Sequence, residues 1–499
     1  MTGFGQQPFG TSPFGTGTTV GADPGGGGEI PTAPVEPGGS GVVLTAPVLR
    51  LEAGFDVLAA AGSTVLRLDD PVNGVLDVNT LGGDQVWVDI SPFMRAGFTV
   101  TRTSDRTAGQ MIRTYSTPTL SCTLKNGDRR FDPLNLAGPY VVGATHGSTL
   151  MPFTIGPSAI IGSSGSGGAT PRTQVDPMRP IRLTAVIGAA EFPLFTGYVD
   201  TWGPSYIPPF YGESAVAASG YFKVLAKNDR AEQATAVGAG EYGGQRIARI
   251  LNASGHTGPR DLSRGDVQLI ATTMGGNALT EAQQAGQAEA GDFFEDADGT
   301  MVFRTRMDGI RQPAQAVSQA TFGDGTPGGA PTELPAADIT IAYDEQTLVN
   351  IAQVTRAGGD TVMEARDDVS VQRYLQATYT SSDLPFSTDD QARDHARLIV
   401  SASSTPDLRI TALTIRPSSD PRLWPQALGR RIGDRITVVL RPPGGGTPIR
   451  RDVIIRGITH TVPDVPNWTT EWQTSTAPPV NYLVLDSPVS GILDQNILY

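Results

Sequence analysis

Short stretches of alternating apolar and polar residues recur along most of this chain, and that alternation is the period of half-buried β-strands. In the first half they predict strands at 85–90, 98–102, 119–124, 181–186 and 213–221. In the second half they predict strands at 348–355, 361–364, 435–440 and 451–461. Glycine and proline, with 60 and 39 occurrences, separate many of them, so tight turns should link short strands.

Helical spacing of apolar residues is concentrated in the middle of the chain. It predicts helices at 244–253 and at 278–290, the second with Asn277 as its N-cap. Ala297-Asp298-Gly299 follows between two aromatic-rich stretches and predicts a hairpin. Nearer the C-terminus one clear helix is predicted at 388–401, capped by Ser387 or Thr388. The predicted fold class is therefore mainly β with an α+β insertion.

A length of 499 residues predicts about three or four domains. The changes of pattern divide the chain into an extended arm rich in Gly, Pro and Phe (1–42), a small β segment (43–82), a first β unit (83–227) with a Gly/Ser-rich insertion (143–174), an α/β insertion domain (228–336), a second β unit (337–475) and a C-terminal tail (476–499).

The N-terminal arm places Phe4, Phe9 and Phe14 in a short repeat between glycines and prolines. A segment of this composition cannot bury a core of its own. Two interpretations stay open. The three phenylalanines could anchor the arm in grooves of a neighbouring subunit, or the arm could simply be disordered.

One fourteen-residue pattern, L-D-x-P-V-x-G-[VI]-L-D-x-N-x-L, occurs twice, at 68–81 and at 485–498. Nine identities without a gap argue against chance. Proline and glycine fix a bend, and the leucines provide a small apolar face. The copies could each cap a β unit. Our hypothesis is instead that both are docking clips for the same type of groove, through Leu68, Asp69, Pro71, Gly74, Leu76 and Asp77, and through Leu485, Asp486, Pro488, Gly491, Leu493 and Asp494.

The formal net charge of −13 argues against nucleic-acid binding through a broad basic surface. Cys122 is the sole cysteine, and its place on the apolar face of a predicted strand predicts a buried, inert thiol. No signal peptide is evident, and no stretch reaches the ~18 apolar residues of a membrane helix. We expect synthesis in a cytoplasm and no membrane insertion.

No catalytic, cofactor or metal site is predicted. The chain lacks a G-x-S-x-G elbow and a P-loop. None of its four histidines is paired at the spacing of a zinc site; they are His146, His256, His395 and His460. Paired carboxylates of a glycoside hydrolase stay open, because their spacing is three-dimensional.

Two local clusters could suggest chemistry but have simpler explanations. Glu295, Asp296 and Asp298 precede Gly299 without completing a calcium loop, so a polar hairpin tip is predicted. Trp468 and Trp472 could stack on sugars, but tryptophans in strands more often pack in a core, which is our prediction.

The most informative run is LSCTLKNGDRRFDPLN at 120–135. Its first residues alternate as in a half-buried strand, and Asn126-Gly127 can reverse the chain because both residues tolerate positive φ. A charged return containing Phe131 follows. The pattern predicts a strand, a tight turn and a charged return, and an ordinary charged hairpin is the competing interpretation.

The same run resembles a motif of siphophage minor tail proteins of the tail-tip (baseplate) hub family, in which a strand ends in a pattern like N-x-D-G-R-F-D-P-x-N. The match lies in Asn126, Gly127, Asp128, Arg130, Phe131, Asp132, Pro133 and Asn135, with Gly and Asp in swapped order. Other segments resemble the family in the expected order, at 178–182, 194–202, 275–279, 293–306, 433–438 and 457–472. Abundant Arg, Gly and Ala with only three Lys suggest a GC-rich genome and an actinobacteriophage-like member.

This resemblance implies two β-barrel hub domains, at 83–227 and 337–475, and a homotrimeric ring at the tail tip of the virion. It implies a structural protein that contacts the distal tail protein, the tape-measure protein and other tip proteins, meets DNA only in passage and meets the host envelope only indirectly. A trimer would offer six clips to a sixfold tube. The alternatives are a receptor- or glycan-binding tip protein, a distal tail ring protein and a tip-borne wall hydrolase.

Overall fold

The computed structural model describes residues 46–55, 86–108, 112–142, 153–155, 159–161, 172–208, 211–229, 235–273, 275–308, 316–325 and 332–477. The strands are β1 (Val48–Phe55), β2 (Val86–Asp89), β3 (Met94–Arg102), β4 (Ser104–Ala108), β5 (Ile112–Tyr115), β6 (Thr119–Lys125), β7 (Val141–Val142), β8 (Phe153–Ile155), β9 (Ala159–Ile161), β10 (Arg172–Thr173), β11 (Pro180–Ile187), β12 (Ala190–Ile207), β13 (Tyr211–Ser219), β14 (Arg260–Leu262), β15 (Asp292–Glu295), β16 (Met301–Arg304), β17 (Thr321–Gly323), β18 (Leu334–Pro335), β19 (Asp338–Ala342), β20 (Ile351–Arg356), β21 (Met363–Arg366), β22 (Thr378–Leu384), β23 (Arg409–Ile415), β24 (Arg435–Leu440), β25 (Ile449–Val462) and β26 (Thr469–Thr476). The α-helices are α1 (Phe222–Ala226), α2 (Gly243–Ala253), α3 (Ala278–Ala288), α4 (Asp368–Tyr374), α5 (Asp389–Ser403) and α6 (Leu423–Gly429).

The protein is mainly β, with 44% of the described residues in strands, which confirms the coarse fold class. Fourteen strands form one sheet, antiparallel except around β17, in the order β18-β17-β24-β25-β3-β6-β13-β12-β11-β1-β2. A branch at β25 continues through β26 and β23 to β19.

The two predicted β units meet at β25. Its first part pairs with β24, most of it pairs with β26, and its last five residues pair with β3 in a register that runs from Ile458 opposite Arg102 to Val462 opposite Phe98. The units therefore share one hydrogen-bonded sheet. The two-barrel arrangement stays a prediction, since among the described strands neither path closes on itself.

The α+β character of the middle of the chain agrees with its sequence pattern. The side chain of Asn277 caps α3 by accepting from the backbone N–H groups of Leu279 and Thr280, as predicted. The helix ends two residues earlier than predicted, and Ala290 just beyond it adopts φ 47°. The predicted hairpin is the antiparallel pair β15–β16, which joins β14 in a small sheet.

A second small sheet, β21-β20-β22, lies in the C-terminal part and packs against α5. Thr388, rather than Ser387, is the N-cap of α5, and its hydroxyl accepts from the backbone N–H of Gln391. The prediction of one clear helix here was incomplete. The short helices α4 and α6 have seven residues each, which is too short to display helical periodicity.

Two clusters of buried side chains form the interior. One fills the first half of the large sheet, and it also includes Trp424 and Trp468 from the C-terminal part. The other runs from α2 and α3 to α5 and the strands around β24. Because Trp468 belongs to the first cluster, the seam between the two β units is closed by apolar packing as well as by strand pairing.

Candidate functional site

The run after β6 folds as a series of turns, so the competing interpretation, an ordinary charged hairpin with a return strand, is wrong. Asn126 is fully buried; its Oδ1 accepts from the Phe131 backbone N–H at 2.9 Å, and its Nδ2 donates to the Tyr206 hydroxyl at 3.2 Å. The positive φ falls on Arg129, at 59°, rather than on Asn126-Gly127. Side-chain bonds to the backbone replace the ladder of a hairpin, so this segment, the motif turn (126–140), is held in one conformation.

Asp132 is the second centre of the motif turn. Its carboxylate accepts from the Leu134 backbone N–H at 2.9 Å, from Arg129 Nε at 3.0 Å and Nη2 at 2.7 Å, and from the Tyr206 hydroxyl at 2.9 Å. Burial disfavours the charged form, but these donors together hold the pKa of Asp132 below its ordinary value. The ionised carboxylate of Asp132 therefore links the motif turn to β12 through the Tyr206 hydroxyl.

Phe131 anchors the motif turn in the first core cluster. Its ring is fully buried and lies nearly parallel to that of Trp202, with centroids 5.8 Å apart. Tyr140 and Phe93 contact it at 5.7 Å each, the first stacked and the second edge-on. The motif residues Asn126, Phe131 and Asp132 therefore build structure.

Five exposed apolar side chains lie on this turn and on the end of the β12–β13 hairpin; we call this set the tip patch and define it as Leu134, Leu136, Tyr206, Ile207 and Tyr211. Leu134 is 83% exposed and Ile207 is 63% exposed. The Tyr206 hydroxyl bonds to the motif turn, whereas Ile207, the register partner of Tyr211, lies on the other face of the hairpin, because successive side chains of a strand alternate. Sequence reasoning missed this patch, since its members come from two segments about 70 residues apart.

The acidic hairpin tip is a second notable site, and its prediction was half right. The β15–β16 hairpin exists, but Glu295 and Asp296 are buried instead of solvent-facing. Asp296 accepts from Arg102 of β3 at 2.8 Å and forms a longer pair, at 3.6 Å, with Arg431 near β24. We call this contact the central joint, because it connects the middle of the chain with both halves of the large sheet.

Glu295 completes the central joint on its other side. Its two carboxylate oxygens accept from the backbone N–H groups of Tyr221 at 2.8 Å and Phe222 at 3.1 Å, at the start of α1. Desolvation raises the pKa of Glu295 to about 7, although the two backbone donors and Arg102 favour the charged form. Glu295 and Asp296 resemble a catalytic pair of carboxyl groups, but both carboxylates already bond to structural partners.

The remaining candidate residues are structural. Trp468 and Trp472 are fully buried, so the core prediction is confirmed and sugar stacking is wrong. Cys122 is buried as predicted, and desolvation raises the pKa of its thiol to about 12. His256, His395 and His460 are all buried, and they lie far apart in the sequence. His146, the three arm phenylalanines and both clips lie outside the described residues.

Acidification should destabilise the fold. Burial lowers the pKa of His256 and of His395 to about 4 and that of His460 to about 3, so on going from pH 6.5 towards 4.5 the unfolded chain gains protons that the native chain does not bind. Each of these histidines lowers the free energy of unfolding by about 1.4 kcal/mol for each pH unit of acidification in this range. Glu295 acts oppositely, because its raised pKa lets the native state bind a proton first between pH 7 and 4.5.

Three histidines outweigh two glutamates, since burial also raises the pKa of Glu289, so we expect the free energy of unfolding to be about 2 kcal/mol lower at pH 5 than at pH 6.5. Denaturant titrations at both pH values measure this. Glu295→Gln removes one opposing contribution and should make the loss on acidification steeper. Equal stability at the two pH values would contradict the assignment.

Within the described parts of the chain, no group of three or more His, Cys, Asp or Glu side chains is arranged to hold a metal ion. Among the helices that the structure describes, none combines the length and apolar character needed to span a membrane.

No family model and no curated protein matches this sequence. Among solved structures, the chain is similar to a tail protein from Neisseria meningitidis at 8% identity and a TM-score of 0.48, with 87% of this chain and 97% of that chain covered. It is also similar to the prophage MuSo2 43 kDa tail protein from Shewanella oneidensis at 12% identity and a TM-score of 0.46, with the same shares covered. A third is a prophage tail protein from Listeria monocytogenes, at 10% identity and a TM-score of 0.38, covering 79% of this chain and 93% of that chain.

Proposed function

We propose that this chain is a structural protein of a phage tail and, within the tail, a subunit of the tip hub. Three copies form a ring that joins the tube and the distal tail ring to the tip and that gates release of the tape-measure protein and DNA. The observation that carries the proposal is the ordered set of segments resembling the hub family between about residues 45 and 499. Its most specific member, the run 120–135, supplies the motif turn beside the tip patch.

The internal construction suits a mechanical part. The shared sheet and the buried central joint tie the three parts of the chain together, so a subunit resists deformation when a load acts on one end. The tip patch offers apolar surface, which supplies most of the favourable free energy when subunits assemble. In this proposal, energy comes from interface burial and no covalent step is needed.

The groups that could suggest enzymatic chemistry have structural roles instead. Glu295 and Asp296 bond to backbone N–H groups and to Arg102, and His460 bonds to Thr470 inside the core. A glycan-binding tip protein was suggested mainly by Trp468 and Trp472, and both side chains are buried. These contacts favour the structural proposal over the hydrolase and the glycan-binding protein.

The test is the solution mass of the purified full chain by light scattering, followed by electron microscopy of the same fraction. One subunit is 52.4 kDa, so a trimer is about 157 kDa. We expect that mass and threefold rings with a central opening. A hexamer would favour the distal tail ring, and a monomer at all concentrations would contradict a hub that assembles by itself.

A further inference from the structure

A polar cavity of about 300 Å³ lies in the middle part of the chain, and its lining residues are Ser263, Arg264, Gly265, Asp266, Thr305 and Asp308. Its two walls follow neighbouring strands. β14 and β16 are parallel, with Leu262 opposite Phe303, so the segments after both strands leave the same edge of the small sheet. Open α/β sheets bind their ligands beyond the carboxyl ends of parallel strands. The cavity therefore lies where the topology favours a binding site.

The wall after β16 offers oxygen atoms in a buried setting. Thr305 and Asp308 are only 6% and 8% exposed. The Thr305 hydroxyl has no hydrogen-bond partner, although buried hydroxyls normally have one. Asp308 accepts with Oδ2 from the Thr305 backbone N–H at 2.7 Å, and no other hydrogen bond from the described residues reaches this carboxylate. A buried hydroxyl without a partner, beside a carboxylate, is the arrangement that a bound ligand would complete.

The wall after β14 is held in one conformation by Glu289. The Glu289 carboxylate accepts from the backbone N–H groups of Asp266 at 2.9 Å and Val267 at 3.0 Å. Gly265 adopts φ 99°, and a Cβ there would collide with Glu289 Oε1, so this position requires glycine. The backbone of this wall is therefore fixed before a ligand arrives, and binding costs little ordering entropy.

We propose that the cavity binds a hydrated divalent cation, Mg²⁺ or Ca²⁺, between the Asp266 and Asp308 carboxylates, with the Thr305 hydroxyl as a further oxygen ligand. Both ions prefer oxygen ligands, and Mg²⁺ is commonly held by one or two carboxylates while it keeps several waters. A cavity of about 300 Å³ has room for those waters. The bound ion links the two segments that follow β14 and β16.

The charges of the lining favour a cation over an anion. Asp266 and Asp308 carry two negative charges, and Arg264 carries the one positive charge among the lining residues. The Arg264 guanidinium lies over the Tyr242 ring, with 4.0 Å between its Cζ atom and the ring centroid, and the negative face of the ring offsets part of its charge. The cavity keeps a net negative charge, which attracts a divalent cation.

Calorimetric titration of MgCl₂ and of CaCl₂ into the chelator-treated full chain, at constant ionic strength, tests the site. We expect one ion per subunit with a Kd of about 0.1–1 mM. Asp308→Asn should weaken binding at least about tenfold, and so should Asp266→Asn at an exposed position where folding is not at stake. Thr305→Val should weaken binding less, and Thr305→Ser should restore it. Asp298→Asn removes an exposed carboxylate outside the cavity, so it is the matched control and should bind like the native chain.

Arg264→Gln identifies the class of ligand. Removing a like charge should tighten cation binding, whereas it would weaken a site for an anion. Native affinity in both Asp266→Asn and Asp308→Asn, or weaker cation binding in Arg264→Gln, overturns the proposal. Matching circular dichroism spectra exclude misfolding as the cause. Light scattering on the same samples separates this site from the ring: a trimer without a bound ion rejects the cation site alone, and a monomer with one ion rejects the ring alone.

Discussion

Replacing Asp296 with alanine should lower the free energy of unfolding by about 3–5 kcal/mol. The substitution leaves the Arg102 guanidinium, which is only 4% exposed, without its ion-pair partner. An unpaired buried charge costs far more than the pair contributes when intact, because desolvation is no longer offset. Urea titration of the full chain, followed by tryptophan fluorescence, measures the change.

Asp298→Ala is the matched control, because Asp298 lies in the same hairpin but is exposed and only bonds to the backbone N–H of Thr300. It should stay within about 0.5 kcal/mol of the native chain. Arg102→Met combined with Asp296→Ala should recover part of the loss, because no orphaned charge remains. If Asp296→Ala and Asp298→Ala cost the same, Asp296 does not hold the central joint.

The acids of this hairpin show which structural features the sequence alone could predict and which it could not. The hairpin around Asp298-Gly299 is local, so turn chemistry predicts it. Burial of Glu295 and Asp296 depends on Tyr221, Phe222 and Arg102, which lie 73 to 194 residues away. No periodicity within the hairpin encodes those partners. Two of the three acids that suggested a solvated tip, Glu295 and Asp296, are in fact held at a buried contact.

For the strands, too, the sequence predicted local features but not long-range contacts. The sequence pattern located β6 and β24 within one residue; β6 alternates between buried and exposed side chains, whereas β24 is buried on both faces. The pairing of β25 with β3 was not predicted, since it joins segments more than 350 residues apart. The helix α4 was missed as well; its N-cap Asp367 was visible in the sequence, but one short turn carries too few apolar positions to stand out.

The run 120–135 was recognised as informative for a reason that the structure now makes physical. The run does not form the return strand of an ordinary charged hairpin, because Asn126 and Asp132 satisfy backbone groups that a hairpin would pair across its ladder. The residues shared with the hub-like pattern are therefore those that fold the turn. Leu134 and Leu136, which the turn exposes, are the part of it available to a partner.

Phe131→Ala tests both roles of the turn together. Removing a fully buried ring that contacts Trp202, Tyr140 and Phe93 should cost about 3–5 kcal/mol of stability, through lost burial and the cavity left behind. The turn should then lose its fixed conformation and the tip patch its shape. We expect a lower urea midpoint and, under folding conditions, dissociation of the assembled protein at higher concentrations than the native chain.

Leu134→Ala separates the two effects. Leu134 is mostly exposed, so its loss should change the urea midpoint little while still weakening assembly, if the tip patch is an interface. Phe131→Ala should lower both quantities, and Phe131→Leu should restore most of the stability because it refills much of the cavity. Should Phe131→Ala weaken assembly while Leu134→Ala leaves it unchanged, the turn would support an interface elsewhere and the tip patch would be an ordinary exposed surface.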